Sequence, residues 1–406
     1  MPTIVPKTIP SNTDTEPPFI PLCIPEIRGN EKEYITSCIE TGWVSSVGPF
    51  VDQFEQQFAN YLGAKHAIAM ASGTAALHIG LQLLDIHPND EVLVSSLTFI
   101  SSANAIRYIN AWPVFMDAEP QHWQMDPQKL TDFIEKECIY RNKQLLNRTT
   151  QRRIGAILPV HILGHPCNLN EIRSIAQSYN LPIIEDAAEA LGTKYLNTPI
   201  GSDSDIACFS FNGNKIMTTG GGGMLVTNSD KIAERARHLS TQAKDDPVEY
   251  IHDEIGYNYR LTNLQAALGC AQLEQLPQYI KTKRQIAKTY TEAFKDIPGL
   301  RPHQEADWAY HTNWLYTLLI DDQLFGYSSR TLLAQLAKAS IQTRPLWQPI
   351  HLSPAHAKSQ SYHCQTAETL YQQALSLPCS VGLSSTDQNR VIQAFQEFKP
   401  NLCSNS

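Results

Sequence analysis

The 406-residue chain lacks the marks of several protein classes. No apolar run reaches about 18 residues, so no membrane-spanning helix is expected. Basic excess is missing too: 32 Lys and Arg stand against 40 Asp and Glu, a net charge of −8. That argues against general nucleic-acid binding, which needs a basic face. An anionic small ligand stays open, because a site can be locally positive. The nine cysteines (Cys23, Cys38, Cys138, Cys167, Cys208, Cys270, Cys364, Cys379 and Cys403) include no CxxC pair. Such an odd, unpatterned set reads as free thiols in a reducing cytosol, buried as small apolar residues. The opening "MPTIVPKTIPSNTDTEPPFIPLCIPEIRG" has no charged segment followed by an apolar one, so it does not read as a signal peptide. The expected location is cytoplasmic. There is no internal repeat. The one biased block, residues 1–21, is rich in Pro, Thr and Ser and reads as a flexible arm.

What is present is a globular chain, 42% hydrophobic and long enough for two domains. "NEKEYITSCIETGW" predicts a short amphipathic helix. "VDQFEQQFANYLG" sets Val51, Phe54, Phe58 and Leu62 on one helical face and stops at Gly63. Strand-like and helix-like segments then alternate: "HAIAM", "SGTAALHIGLQLL", "DEVLVSSLTF", "SSANAIRYI", "WPVFMD", "IGAILPVHI", "NLNEIRSIAQSY", "LPIIED", "DIACFSF" and "GGGMLVTN". Repeated βα units imply an α/β fold with a mostly parallel sheet between helices. Ligands bind such sheets at the carboxyl ends of the strands. After a long helical stretch, residues from about 281 mix helices with short strands such as "NWLYTLLI". The expected division is a large α/β domain over 22–280 and a smaller C-terminal α+β domain over 281–406.

Four features fall at strand ends or loop–helix junctions. Ser72-Gly73-Thr74 lies between a strand and a helix. It reads as a plain helix cap or as an anion site, through free amides and the helix dipole. "PIIEDAAEA" ends an apolar strand in Glu185-Asp186. The acid either caps the next helix or faces a protonated heterocyclic nitrogen. Ser210 and Lys215 follow "IACFSF", and Lys215 is flanked by apolar residues and glycines rather than charges, which suggests a lysine brought into a site. "TTGGGG" permits close backbone approach. The order is wrong for a P-loop, whose glycines precede the lysine. An Asp after one strand, a Lys about thirty residues on and an earlier phosphate-type loop fit pyridoxal 5'-phosphate. That cofactor needs a Schiff-base lysine, a carboxylate for its pyridinium nitrogen and a phosphate cup.

The chain resembles the fold-type I, pyridoxal-phosphate-dependent sugar aminotransferases of the DegT/DnrJ/EryC1/StrS family. The resemblance runs from about residue 21 to about residue 400. It is carried by "TGWVSSVGPFVDQFE", "SGTAALHIGL", "SLTFISSANAI", "PVFMD", "PVHILGHPCN", "IIEDAAEALGTKY", "ACFSFNGNKIMTTGGGG" and "GYNYRLTNLQAALG". "TRPLWQPIHL" and "LPCSVGL" resemble one branch, which acts on UDP- or GDP-linked 4-keto-6-deoxy-N-acetylhexosamines on routes to bacillosamine and legionaminic acid.

The resemblance implies roles for individual residues. Lys215 carries the Schiff base and shuttles the proton, and Asp186 pairs with the pyridine nitrogen. Glu189 stands where the ring hydroxyl is contacted, and Phe99 stacks on the ring. Gly73, Thr74 and Ser210 hold the phosphate. Asn258 completes that cup from a second subunit, which implies a homodimer. Arg260, Arg344 and His351 are substrate-side candidates, and Trp347 stands where many relatives carry Tyr. No metal is implied. The implied reaction is a ping-pong transamination from L-glutamate to C4 of a sugar nucleotide. Family members with His in place of the lysine are dehydratases, so Lys215 argues against that chemistry. A GDP-perosamine-type enzyme and a non-catalytic regulatory or binding protein are the alternatives, and the choice between UDP and GDP stays open.

Overall fold

The computed structural model describes residues 17–246 and 248–398. Residues 1–16 of the expected arm, and Cys403, lie outside the described residues. Within 17–21 the chain is already held. Ile20 is buried and pairs with Ile341, through its amide to the Ser340 carbonyl (2.8 Å) and its carbonyl to the Gln342 amide (2.9 Å).

The central sheet forms from short segments that read as near-continuous apolar runs, as strands covered on both faces must. Strand Glu91–Ser95 pairs in parallel with Trp112–Met116 on one side and Ile154–Leu158 on the other, and all five of its residues are buried. Strand Ile184–Asp186 continues the order through parallel bridges from Ile157 to Ile183 and from Val160 to Asp186. It pairs in parallel with Ile206–Ser210. The glycine run then turns the chain back, so Gly223–Thr227 lies antiparallel between Ile206–Ser210 and His66–Met70. The mostly parallel sheet is therefore present, with Gly223–Thr227 as its internal antiparallel strand.

Helices cover both faces. In Pro49–Leu62 the buried residues Val51, Phe54, Phe58 and Leu62 form one stripe, Pro49 opens the helix, and Gly63 closes it at φ 72°. Phe54 and Phe58 pack edge-on against Phe209 and Phe211. These two side chains point to one face, and strand alternation sends the intervening Ser210 to the other. Burying the four rings thus fixes where Ser210 points.

Helix Asn263–Phe294 starts with a capping box between Thr262 and Gln265 and runs 32 residues. It crosses position 281, so the domain division expected there falls inside a helix rather than in a linker. Beyond it, Leu300–Pro302, Tyr316–Ile320 and Ala374–Leu377 form a small antiparallel sheet. The C-terminal segment also reaches back, because Ser361–Tyr362 pairs with the large-sheet strand Trp112–Met116. No helix among the described residues is long and apolar enough to cross a membrane.

Candidate active site

The carboxyl ends of the central strands open into a cavity of about 290 Å³. The catalytic and cofactor-side candidates Gly73, Thr74, Phe99, Asp186, Glu189, Ser210 and Lys215 line it, together with Ser72 and Trp347. These candidates arrive by four connections, at or after the ends of strands His66–Met70, Glu91–Ser95, Ile184–Asp186 and Ile206–Ser210. Helix Gly73–Leu83 begins at the rim with Ser72 as its cap, the hydroxyl accepting from the Ala75 amide at 3.0 Å. By helix geometry the Gly73 and Thr74 amides have no intrahelical acceptor, so they are available to an anion. Gly73 has no room for a side chain, since a Cβ there would meet Ser210 Cβ at 2.9 Å. Phe99 follows strand Glu91–Ser95 and is half-exposed at the lip.

Lys215 sits in the loop that joins Ile206–Ser210 to Gly223–Thr227. The loop base is closed by the Phe211 amide to the Gly222 carbonyl (2.9 Å) and the Thr219 amide to the Phe211 carbonyl (3.0 Å). Lys215 Nζ lies 3.4 Å from Glu189 Oε1. It also lies 3.9 Å from the centroid of the Trp314 ring, a cation–π contact. Trp314 is buried and donates its indole N–H to the Asn214 carbonyl at 2.8 Å. It stacks on Trp347, with ring planes 4° apart and centroids 6.2 Å apart.

The two neighbouring acids of "IIEDAAEA" have opposite environments. Glu185 accepts from His161 Nε2 at 3.1 Å and from the Ser204 hydroxyl. His161 Nδ1 itself accepts from the Cys167 amide at 3.0 Å, so the imidazole is neutral and donates to the carboxylate. Burial pushes the Glu185 carboxyl up, but these donors and Arg173 outweigh it and hold it below the ordinary range. Asp186 has only the Ser102 hydroxyl (2.7 Å) and the Ala188 amide (3.1 Å), with no ion-pair partner among the described residues. Burial prevails there and pushes its carboxyl up. Burial also pushes Glu189 up, against Lys215 and the Leu163 amide, which donates at 2.7 Å.

Four expected site residues lie elsewhere. Arg260 is drawn away by acids: its Nη1 pairs closely with Glu55, and its Nη2 lies 3.8 Å from Asp52. Arg344 is exposed, with its backbone paired to Ser376. His351 bridges Ser96 (2.6 Å) and Glu368 (3.1 Å), which occupies both ring nitrogens. None of the three lines the cavity of this chain. Asn258 is exposed and lines no part of the cavity. Trp314, Asn214 and Ser102 went unnoticed in the sequence. Trp314 is 99 positions from Lys215 in the chain, and no local spacing links them. A larger groove of about 850 Å³ runs along Asn263–Phe294 and carries Lys281, Arg284 and Lys288, but it gathers none of the sequence-predicted residues.

The donor set fits pyridoxal phosphate. Asp186 is a buried carboxylate lacking a cation, Lys215 presents an amine, and the Gly73–Thr74 amides face the same space. The model of the DegT/DnrJ/EryC1/StrS aminotransferase family matches residues 25–396. The chain belongs to this family. It is 39% identical to EpsN of Bacillus subtilis, named as a pyridoxal phosphate-dependent aminotransferase, over 91% of this chain and 93% of that one. It is 38% identical to GDP-perosamine synthase of Caulobacter vibrioides, over 94% and 98%. The solved structure of DesV from S. venezuelae superposes with a TM-score of 0.82 at 30% identity, covering 92% of this chain and 95% of that one. As a member of the DegT/DnrJ/EryC1/StrS family, the protein is a pyridoxal-phosphate-dependent sugar aminotransferase of fold type I.

Proposed function

We propose that the enzyme takes the amino group of L-glutamate and places it on C4 of a nucleotide-linked 4-keto-6-deoxy-N-acetylhexosamine, in the cytoplasm, for a surface glycan. The observation that carries the transamination reading is Lys215, whose amine reaches the cavity shared with Asp186 and Glu189. A regulatory or binding protein would have no use for that pair.

When bound, pyridoxal phosphate supplies a reactive carbonyl and an electron sink. Lys215 would hold it through Nζ, and the same amine would move the substrate proton. Asp186, buried without a counter-charge, would favour a protonated ring nitrogen. Glu189 would hold the ring hydroxyl and give the free Lys215 amine a partner. Gly73, Thr74 and Ser210 would hold the phosphate, and Phe99 would cover the ring. Asn258 reaches the phosphate of the other subunit in a homodimer, which its exposure on this chain permits.

The N-acetylated substrate is supported by "TRPLWQPIHL" and by the Trp314–Trp347 stack on the cavity wall, an apolar platform for an acetamido methyl group. A second reading, a GDP-perosamine-type substrate without the acetamido group, is favoured by the 38% identity to a GDP-perosamine synthase. The test compares kcat/KM for the UDP-linked N-acetylated 4-keto sugar with that for a GDP-linked 4-keto-6-deoxyhexose, with L-glutamate as donor. Preference for the first supports the main reading. Preference for the second installs the alternative, and no amine transfer to either overturns both.

A further inference from the structure

Lys283, midway along helix Asn263–Phe294, is buried with an exposure of 2%. A buried ammonium requires a counter-charge. No carboxylate lies within ion-pair distance of it among the described residues. Its partners are the Cys379 carbonyl at 2.6 Å and Cys379 Sγ at 3.4 Å. Among the described residues, the groups near it able to supply negative charge are thiols: Cys379, itself 1% exposed, and Cys23.

Cys379 is not alone. Its amide donates to the Leu22 carbonyl at 2.8 Å, and Ser380 Oγ accepts from the Ile24 amide at 3.0 Å, so the chain on both sides of Cys23 is pinned to the Cys379 loop. The Cys23 thiol lies 3.4 Å from the Asn214 carbonyl, and the backbone bonds on either side of it set Cys23 beside the Cys379 loop. Cys23 is partly exposed. The neighbouring Cys23 thiol and the Lys283 ammonium overcome burial and lower Cys379 to about 6. Cys379 and burial push Cys23 up.

We propose that Cys23 and Cys379 are a redox-active dithiol, activated by buried Lys283, that closes to a disulfide when the protein meets a peroxide. The thiolate attacks one peroxide oxygen. The O–O bond breaks, one water leaves after protonation, and the sulfur becomes a sulfenic acid. The second thiol displaces the hydroxyl as a second water and forms the S–S bond. Two thiols and one hydrogen peroxide thus give one disulfide and two waters. The thiols lose two electrons and the peroxide gains them. The bond would form one residue from Lys215, since Cys23 touches the carbonyl of Asn214, which also anchors the Trp314 indole.

The test exposes reduced, cofactor-loaded protein to hydrogen peroxide, alkylates free thiols and maps peptides by mass spectrometry. The expected result is a Cys23–Cys379 linked peptide, lighter than the reduced pair by two hydrogens and released by dithiothreitol. In Cys23→Ser, which changes a partly exposed side chain, Cys379 instead accumulates as a sulfenic acid trapped by dimedone. In Lys283→Met the linkage forms at least about tenfold more slowly. The proposal is overturned if both cysteines alkylate fully after peroxide, or if either reaches sulfinic acid with no linked peptide. It is also overturned if Lys283→Met cross-links at the wild-type rate.

Discussion

The Lys215 amine lies over the face of Trp314, 3.9 Å from the ring centroid, while the same indole donates its N–H to the backbone carbonyl just before that lysine. One side chain therefore fixes both the amine and the loop that carries it. A cation–π contact shielded from water is worth about 2 kcal/mol. Trp314→Leu should lower the single-turnover rate with L-glutamate roughly tenfold to thirtyfold. Trp314→Phe keeps an aromatic face and loses only the N–H bond, so it should fall less. Equal rates in wild type and Trp314→Leu would show that the contact does not orient Lys215.

Glu185 and Asp186 are sequence neighbours with opposite links to pH. The folded pKa of Glu185 is depressed below 4.5, so its stabilisation is present above that pH and lost as pH falls through the folded value. The folded pKa of Asp186 is raised above 3.8, so the folded state binds the proton more readily than the unfolded one. Its charge destabilises the fold as pH rises from 3.8 through the folded value. In cofactor-free protein at neutral pH, Glu185→Gln should lower Tm, by the equivalent of about 1–3 kcal/mol for its hydrogen bonds. Asp186→Asn should raise Tm while kcat of the loaded enzyme falls roughly 10²–10³-fold. Scanning calorimetry of both variants at acid and neutral pH checks the signs. A Tm loss in Asp186→Asn would overturn the argument.

The glycines around Lys215 are not equivalent. A Cβ at Gly223 would meet the Gly73 nitrogen and the Ser72 carbonyl carbon at 2.5 Å, both backbone atoms that cannot yield cheaply. At Gly213 it would meet nothing within 4 Å. Gly223→Ala should therefore cost about 1–3 kcal/mol and weaken cofactor retention by displacing the helix start. Gly213→Ala should stay within about 0.5 kcal/mol of wild type. Urea denaturation and the visible absorbance of the loaded protein separate the two.

These contrasts also show which parts were legible in the sequence. Period and length marked the strands and helices of the large sheet, because a strand buried on both faces must be apolar throughout, as Val92, Leu93 and Val94 are. Gly73, Asp186 and Lys215 were legible because each breaks that pattern where a strand ends. Trp314 was not, since an aromatic at the start of a strand is ordinary and its value lies in a contact across 99 residues. The pairing of Arg260 was not legible, because charge alone does not reveal a neighbour such as Glu55, which lies 205 positions away. The helix that carries position 281 was legible as one long helical stretch, because Tyr279, Ile280, Lys283 and Ile286 keep its buried period across that point.

Asn258 gives the sharpest test of assembly. It is exposed and outside the cavity of its own chain, so any contact with the phosphate has to come from a second copy. The nearby surface also carries exposed apolar side chains, Val248, Tyr250, Ile251 and Ile255, which a partner would cover. Asn258→Ala should weaken cofactor binding about tenfold, and Lys215→Ala should be inactive and lack the visible band of lysine-bound cofactor. Mixed after dissociation and reassembly, the two variants should recover activity that neither has alone at limiting cofactor. In a hybrid dimer, one site pairs an intact Lys215 with the Asn258 of the other chain, and both defects fall in the second site. If each subunit were self-sufficient, mixing would give the plain average of the two variants, and Asn258 would have no role across an interface.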